Sequence, residues 1–259
     1  LKQYFRHEND PRDRFATEYS LLRFMWNNRL RCIPKPLAGD AENGLAIYSY
    51  IEGRAPKVGE VDDNAIGQAI DFFRALNSLR KIRGAHSLLA ASEACFSEAD
   101  HLELVDQRVS ALTTLKGVVG DFVMSELLPK WELVKNEDVF SDEILAVDKR
   151  CLSPSDFGFH NSILDDNGRY YFLDFEYSGW DDPAKTVCDF IYQPISPVPV
   201  AYFERFASAV AESVGDTDCP ARSRRLMPVY TIKWCCILLG RFLPVGMARR
   251  AFAGGKDET

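Results

Sequence analysis

The sequence predicts an α+β chain, with short strands in the first fifty residues and in one hairpin near residue 165, and helices over most of the remainder. Three observations carry this. Leu45 to Ile51 (LAIYSYI) reads as a strand. Ser162 to Leu164 and Tyr170 to Leu173 are short apolar runs separated by Asp165-Asp166-Asn167-Gly168, and an Asn-Gly step favours a hairpin because both residues accept positive φ. Elsewhere apolar residues recur at helical spacing, first as Ile66, Ile70, Phe73 and Leu76, then as Leu102, Val105, Val109 and Leu112.

The elements follow in order. Asp10-Pro11 reads as a helix start, with Asp10 as cap and Pro11 at the first helical position. Phe15, Tyr19, Leu22 and Trp26 form the apolar stripe of that helix, which also carries Glu18. The strand beginning at Leu45 ends at Glu52-Gly53. Polar connectors are expected near Gly117 to Gly120, Asn136 to Asp142 and Gly215 to Pro220. Asp182-Pro183 caps a helix that carries Asp189. Tyr202, Phe206, Ala209 and Val210 mark another helix, and Tyr230, Trp234, Ile237, Leu238 and Arg241 the last long one. The chain has no internal repeat and no low-complexity tract.

Composition bounds the function. With 259 residues, 46% hydrophobic and 27% charged, the chain can bury a sizeable core. A net charge of −7 argues against a broad nucleic-acid surface and is compatible with a cationic or neutral small-molecule substrate. The seven cysteines show no metal-ligand spacing, and the adjacent pair Cys235-Cys236 bridges poorly, so reduced thiols in a cytoplasm are expected. Val229 to Val245 is interrupted by Lys233 and Arg241 and falls short of the roughly 20 apolar residues a bilayer span needs. No membrane partner is expected. His7, His86 and His101 lie far apart and suggest no metal site.

The chemistry concentrates in Leu152 to Pro183, LSPSDFGFHNSILDDNGRYYFLDFEYSGWDDP. Asp156 and Asn161 keep the D-x-x-x-x-N spacing of a kinase catalytic loop, and Asp174-Phe175-Glu176 stands where D-F-G would follow. Transfer of a γ-phosphoryl group needs a hard cation to neutralise phosphate oxygens and a carboxylate to orient the attacking hydroxyl. Oxygen ligands suit that cation. A D-x-x-x-x-N alone is common by chance, and Asp156 alone would read as a loop cap. The hairpin and the LDFEYSGWDDP run that follow make the set specific.

On these residues the chain resembles the aminoglycoside phosphotransferase and choline kinase group of small-molecule kinases, over nearly its whole length. The matching pattern is H-G-D-x-x-x-x-N, a strand ending in I-D-F-E, then G-W-x-D-P and an Asp opening the next helix, here Asp189. The resemblance implies a protein-kinase-like, two-lobed fold: residues 1–52 a partial β-rich N-lobe, residues 53–259 a mainly helical C-lobe with the catalytic β-hairpin. It further implies ATP and Mg²⁺ as cofactors, Asp156 as catalytic base, and Asn161 and Asp174 as metal ligands. Lys2 would pair with Glu18 and reach the α- and β-phosphates, and Ser49, Tyr50, Ile51 and Glu52 would be the hinge that meets the adenine. Without the resemblance, Lys2 and Glu18 read equally well as a surface lysine and a solvated helix glutamate.

Leu1 to Phe5 corresponds to a third strand, so two strands and a Gly-rich loop are expected before it. Two positions depart from the pattern: Pro154 replaces the His two residues before the Asp, and His160 replaces the Gly before the Asn. The implied activity is phosphotransfer to a hydroxyl of a small molecule, whether aminoglycoside, amino alcohol, sugar or another metabolite. The alternative is a catalytically weak pseudokinase that binds nucleotide or a partner. A protein kinase is disfavoured, because no A-P-E segment follows Asp174.

Overall fold

The computed structural model describes residues 1–57 and 59–254. The first strand, β1 (Lys2–Gln3), pairs antiparallel with β3 (Leu45–Tyr48), which pairs on its other side with β2 (Pro36–Asp40). Helix α1 (Arg14–Asn27) lies between β1 and β2 in sequence. Its N-cap is Asp13, whose carboxylate accepts from the Ala16 amide at 2.9 Å. The expected cap, Asp10, is engaged elsewhere: it binds Arg12 at 2.6 and 2.8 Å and Arg14 at 2.6 Å, and two guanidiniums outcompete a helix terminus for one carboxylate.

The buried face of α1 is also rotated from the expected stripe. It carries Arg14, Phe15, Glu18, Leu21, Leu22 and Met25, with Tyr19 and Trp26 half-buried at its edge. An apolar stripe alone could not locate a face whose centre is a glutamate.

Strand β3 stops three residues short of Ile51. Ser49 turns back on Lys35, its amide donating to the Lys35 carbonyl at 2.9 Å and its hydroxyl accepting from the Lys35 amide at 2.8 Å. The chain then runs irregularly to Gly53, at φ 145°, where a Cβ would lie 2.5 Å from the Leu164 carbonyl oxygen. Only glycine permits that approach, and it lets Arg54 exchange backbone hydrogen bonds with Leu164 at 3.0 and 2.8 Å. The segment after β3 is thereby tied to the hairpin that follows a hundred residues later.

Helix α2 (Asp63–Ser78), capped by Asp62, buries Ile66, Ile70, Phe73 and Leu76 as expected, and also Phe72. Helix α3 (Glu98–Leu112) opens with a capping box between Ser97 and Asp100 and buries Val105, Val109 and Leu112. The connector expected at Gly117 to Gly120 is instead the first turn of α4 (Gly117–Phe122), which continues through a wider turn into α5 (Leu128–Lys135). Those glycines lie in the first turn of a helix and do not break the chain.

Strand β4 (Cys151–Ser153) pairs with β7 (Gly179–Asp181), and between them β5 (Ser162–Leu164) and β6 (Tyr170–Phe172) form the hairpin, with Ser162 opposite Phe172. In its turn only Gly168 has positive φ, at 77°, and Asn167 does not. The Gly168 amide bonds the Asp165 carbonyl at 3.0 Å, and the Asp165 carboxylate accepts from Asn167 and Arg169. The loop is therefore the three-residue type I turn with a glycine bulge, not the two-residue turn that Asn-Gly suggests.

Helix α6 (Pro183–Tyr192) packs against α7 (Phe203–Val214) and α8 (Cys219–Leu239), and α9 (Pro244–Phe252) ends the described chain. Asp189 lies in the last turns of α6, while the residue that opens the helix is Asp182, which caps Ala184. Among the described residues no single helix is long and apolar enough to cross a membrane.

The main core joins Leu21, Leu22 and Met25 of α1 to all the large helices, and a smaller one collects Tyr4, Phe15 and Ala46 beside the three-stranded sheet. At the centre of the main core is an aromatic stack: Phe190 on Phe206 at 4.0 Å between ring centroids, Phe157 on Phe190 at 5.2 Å, and Phe72 on Phe172 at 4.8 Å.

Candidate active site

The aromatic stack sets the position of the polar residues. Phe157 follows Asp156 and Phe175 follows Asp174, and both rings are buried against Phe72 of α2, at 5.4 and 5.9 Å. Each aspartate therefore projects from the rim of a packed core, and its backbone is held by the burial of its neighbour. Phe72 was absent from the stripe read in the sequence. The signal was available, since positions 65, 66, 69, 70, 72, 73, 76 and 77 are all apolar or amide and make a stripe too broad for one partner.

Asp174 has φ 62° and Ser155 φ 63°, a left-handed conformation uncommon outside glycine. Such strain costs about 1–3 kcal/mol per residue and persists where the surroundings impose it. At Ser155 they do so visibly. Its amide donates to Ser153 Oγ at 3.0 Å, its hydroxyl donates to the Tyr177 carbonyl at 2.9 Å, and Phe157 N bonds its carbonyl at 2.7 Å. Ser153 Oγ in turn lies 2.9 Å from Thr186 Oγ1 on α6. These hydroxyls support the loop whose neighbouring position is Pro154.

Two groups of predicted residues assemble. In the first, Lys2 Nζ lies 2.6 Å from Glu18 Oε2 and 2.6 Å from Asp174 Oδ1, so three residues from β1, α1 and the end of the hairpin meet at one ammonium. Glu18 is 3% exposed and is held three ways: by Lys2, by the Tyr4 hydroxyl at 2.5 Å, and by the Phe175 amide at 3.1 Å. Burial acts to lower the Lys2 pKa, but Glu18 and Asp174 outweigh it and hold the ammonium well above its ordinary range. Burial and Glu18 push the Tyr4 phenol up as well, so it stays a donor.

In the second group, Asn161 Nδ2 donates to the Asp156 carbonyl at 2.9 Å, which leaves the amide oxygen as the end able to face a cation. His160 Nε2 lies 3.0 Å from Asp156 Oδ1. Burial would raise the Asp156 carboxyl, yet His160 and Asn161 bring it below the usual carboxylate range. The two groups are joined through the main chain, where the Leu173 amide donates to the Asn161 carbonyl at 2.9 Å, one residue before Asp174.

The predicted hinge residues stand apart from both groups. Ser49 is bonded to Lys35, Tyr50 is 86% exposed, Ile51 is half-buried and Glu52 exposed.

Sequence reasoning missed the partners of four residues. Tyr4 sits two residues from Lys2, the strand period that shares a face, and its hydroxyl also meets Tyr48 at 2.5 Å. Glu176 is buried against Arg14 at 3.4 Å and Arg249 at 3.0 Å, with Lys2 at 3.7 Å. Behind the loop, Asp182 binds Arg222 at 2.8 and 2.9 Å and His101 at 3.2 Å, and His101 also meets Tyr230 at 2.7 Å. Next to this network, Asp189 pairs with Lys233, both bonds at 2.8 Å.

Asp174 offers a carboxylate and Asn161 an amide oxygen, on segments linked by the Leu173–Asn161 main-chain bond, and these are the oxygen types that suit Mg²⁺, which is usually held by one or two protein oxygens and otherwise by water and phosphate. Among the described residues there is no cluster of three or more His, Cys, Asp or Glu suited to a metal.

Solved structures that align with this chain include small-molecule phosphotransferases. The macrolide 2′-phosphotransferase of Brachybacterium faecium aligns at a TM-score of 0.59 and 20% identity, over 95% of this chain and 76% of that one. The choline kinase of Streptococcus pneumoniae aligns at 0.55 and 15% identity, over 98% and 83%. APH(2″)-IIa in ternary complex with streptomycin and ATP aligns at 0.53 and 16% identity, over 91% and 80%. The fold is thus the α+β fold of protein-kinase-like phosphotransferases. No curated protein matches the sequence. Residues 1–222 match the phosphotransferase enzyme family; the chain belongs to that family and is, with it, an enzyme of the small-molecule kinase class.

Proposed function

We propose that this enzyme moves the γ-phosphoryl group of ATP, with Mg²⁺, to a hydroxyl of a small molecule. The observation that carries the reading is the 2.6 Å ion pair between Lys2 and Glu18 with Asp174 beside it, because phosphoryl transfer in kinases requires a lysine paired to a helix glutamate next to an aspartate that holds the cation. Lys2, oriented by Glu18, binds the α- and β-phosphates. Asp174 and the Asn161 amide oxygen hold the cation, which when bound neutralises charge on the phosphate oxygens.

Asp156 orients the acceptor hydroxyl and takes its proton. Its lowered pKa keeps it ionised, and therefore an acceptor, throughout the neutral range. Residues 49–52 present backbone groups to the adenine, and we read the boundary between a smaller lobe, 1–52, and a larger one, 53–259, at Gly53. The seven unbridged cysteines suit a reducing compartment such as the cytoplasm. The acceptor belongs among hydroxyl-bearing metabolites, with choline-like amino alcohols, sugars, aminoglycosides and macrolides the first to try.

The test is ADP release against a panel of such compounds, followed by Asp156→Asn on the best of them. The substitution keeps size and removes the proton acceptor, so turnover should fall by about 10²–10⁴-fold with ATP affinity kept within a few-fold. Normal turnover in that variant, or no ADP release from any compound, rejects the reading.

A further inference from the structure

His160 faces the Asp156 carboxylate from a slot shaped for it. Its side chain is 6% exposed, Nε2 lies 3.0 Å from Asp156 Oδ1, and Nδ1 is buried with no hydrogen-bond partner. An ionised carboxylate only accepts, so Nε2 carries the hydrogen in this contact. Gly158 makes the room: a Cβ there would stand 2.8 Å from Nδ1 and 2.9 Å from Cε1 of the ring. Gln193 closes the same space, its Cγ 3.3 Å from that Cβ position, and is itself fixed because its Oε1 accepts from the Ile195 and Ser196 amides at 3.0 Å. Asn161 pins the Asp156 main chain from below at 2.9 Å. One carboxylate oxygen and the carbonyl of Asp156 are thus both occupied, and the second carboxylate oxygen is the one left for a ligand.

We propose that His160 is a positioning residue, which through its Nε2–H bond to Oδ1 fixes the Asp156 carboxylate with its other oxygen toward the acceptor hydroxyl, and that Gly158 is required to seat the ring. The inference rests on the assignment of Asp156 as the base. Its geometry is independent of the cation and of the identity of the acceptor. A carboxylate free to rotate about χ2 presents its oxygen in the productive direction only part of the time, and a misplacement near 1 Å can cost about 10²-fold in rate.

The experiment uses the full chain, ATP and the panel compound with the highest ADP release, and compares His160→Ala, His160→Asn, His160→Gln, Gly158→Ala and Asp156→Asn. Glutamine carries an amide nitrogen at the reach of Nε2, whereas asparagine carries it at the reach of Nδ1. His160→Ala and His160→Asn should lower kcat by about 10–100-fold with KM for ATP nearly unchanged, and His160→Gln should recover most of that loss. Gly158→Ala should lower kcat similarly in the native background and add nothing to His160→Ala. Melting temperatures of the same preparations separate turnover from the folded fraction. If His160→Ala and His160→Asn keep kcat within about two-fold while Asp156→Asn is inactive, the positioning role is overturned and the base assignment stands. If His160→Gln falls as far as His160→Ala, the Nε2 contact is not what the ring supplies, which also overturns it. Turnover retained in Asp156→Asn overturns the base assignment instead.

Discussion

Glu18→Gln tests the small cluster around Lys2 by removing one charge and almost no volume. In the native chain Glu18 accepts from Lys2, Tyr4 and the Phe175 amide while only 3% exposed. Glutamine keeps one acceptor oxygen, enough for Phe175, but its amide NH₂ then faces the ammonium and the phenol, donor against donor. Breaking a fully buried ion pair by removing one partner costs about 3–5 kcal/mol. Here the cost is smaller, because Lys2 is 30% exposed and keeps Asp174, and Tyr4 keeps Tyr48. About 2 kcal/mol is the expected loss, in the range for one buried donor left poorly satisfied. For a chain of this size that lowers the melting temperature by about 4–8 °C, readable in a thermal denaturation scan. ADP release should fall further than stability does, because Lys2 without Glu18 is drawn wholly onto Asp174. A melting temperature within about 1 °C of the native value would refute the reasoning, since it would mean that the cluster is not formed or carries no net energy.

Asp174→Ala removes the only carboxylate assigned to the cation and should abolish turnover, whereas Asn161→Ala should be damaging but partly rescued by high Mg²⁺; unaltered activity of Asp174→Ala at saturating Mg²⁺ rejects the assignment. Stability should also depend on acid through Glu93, whose carboxyl burial would raise but which Arg108 brings down to about 2. A folded pKa below the unfolded value, about 4.3, means that the stabilisation is complete above that value and is lost as pH falls from there through about 2. The urea midpoint should therefore drop between pH 5 and pH 2.5 by more in the native protein than in Glu93→Gln, and equal drops would contradict the pairing.

The sequence made local spacing legible and left long-range partners hidden. The spacing of Asp156, Asn161 and Asp174 is set by one loop and one hairpin, and the hairpin strands form where the apolar runs stand. Lys2 and Glu18 were readable only as members of a resemblance, since nothing near either residue says that they touch. Asp10 and Asp13 are equivalent caps in sequence, and the choice between them is made by Arg12 and Arg14, whose fold-back no periodicity encodes. Pairings such as Glu176 with Arg249 and Asp189 with Lys233 join segments 73 and 44 positions apart, and depend on how α8 and α9 close over the loop. The register of α1 failed for a different reason: its inward centre is Glu18, so a search for apolar stripes was drawn to the neighbouring face.

Lys2 and Asp174 are 172 positions apart along the chain, so their contact closes a very long loop. By the logarithmic law for loop closure, bringing two such points together in an unstructured chain costs about 4–5 kcal/mol, more than their mutual attraction returns on its own. The cluster cannot seed folding and must be delivered by helices that have already packed. During synthesis at about 5–20 residues per second, Asp174 appears roughly 10–30 s after Lys2, and for that interval the N-terminal strand and Glu18 wait without their third member. A nascent chain that has folded its early helices but not yet made Asp174 therefore lacks the assembled cluster.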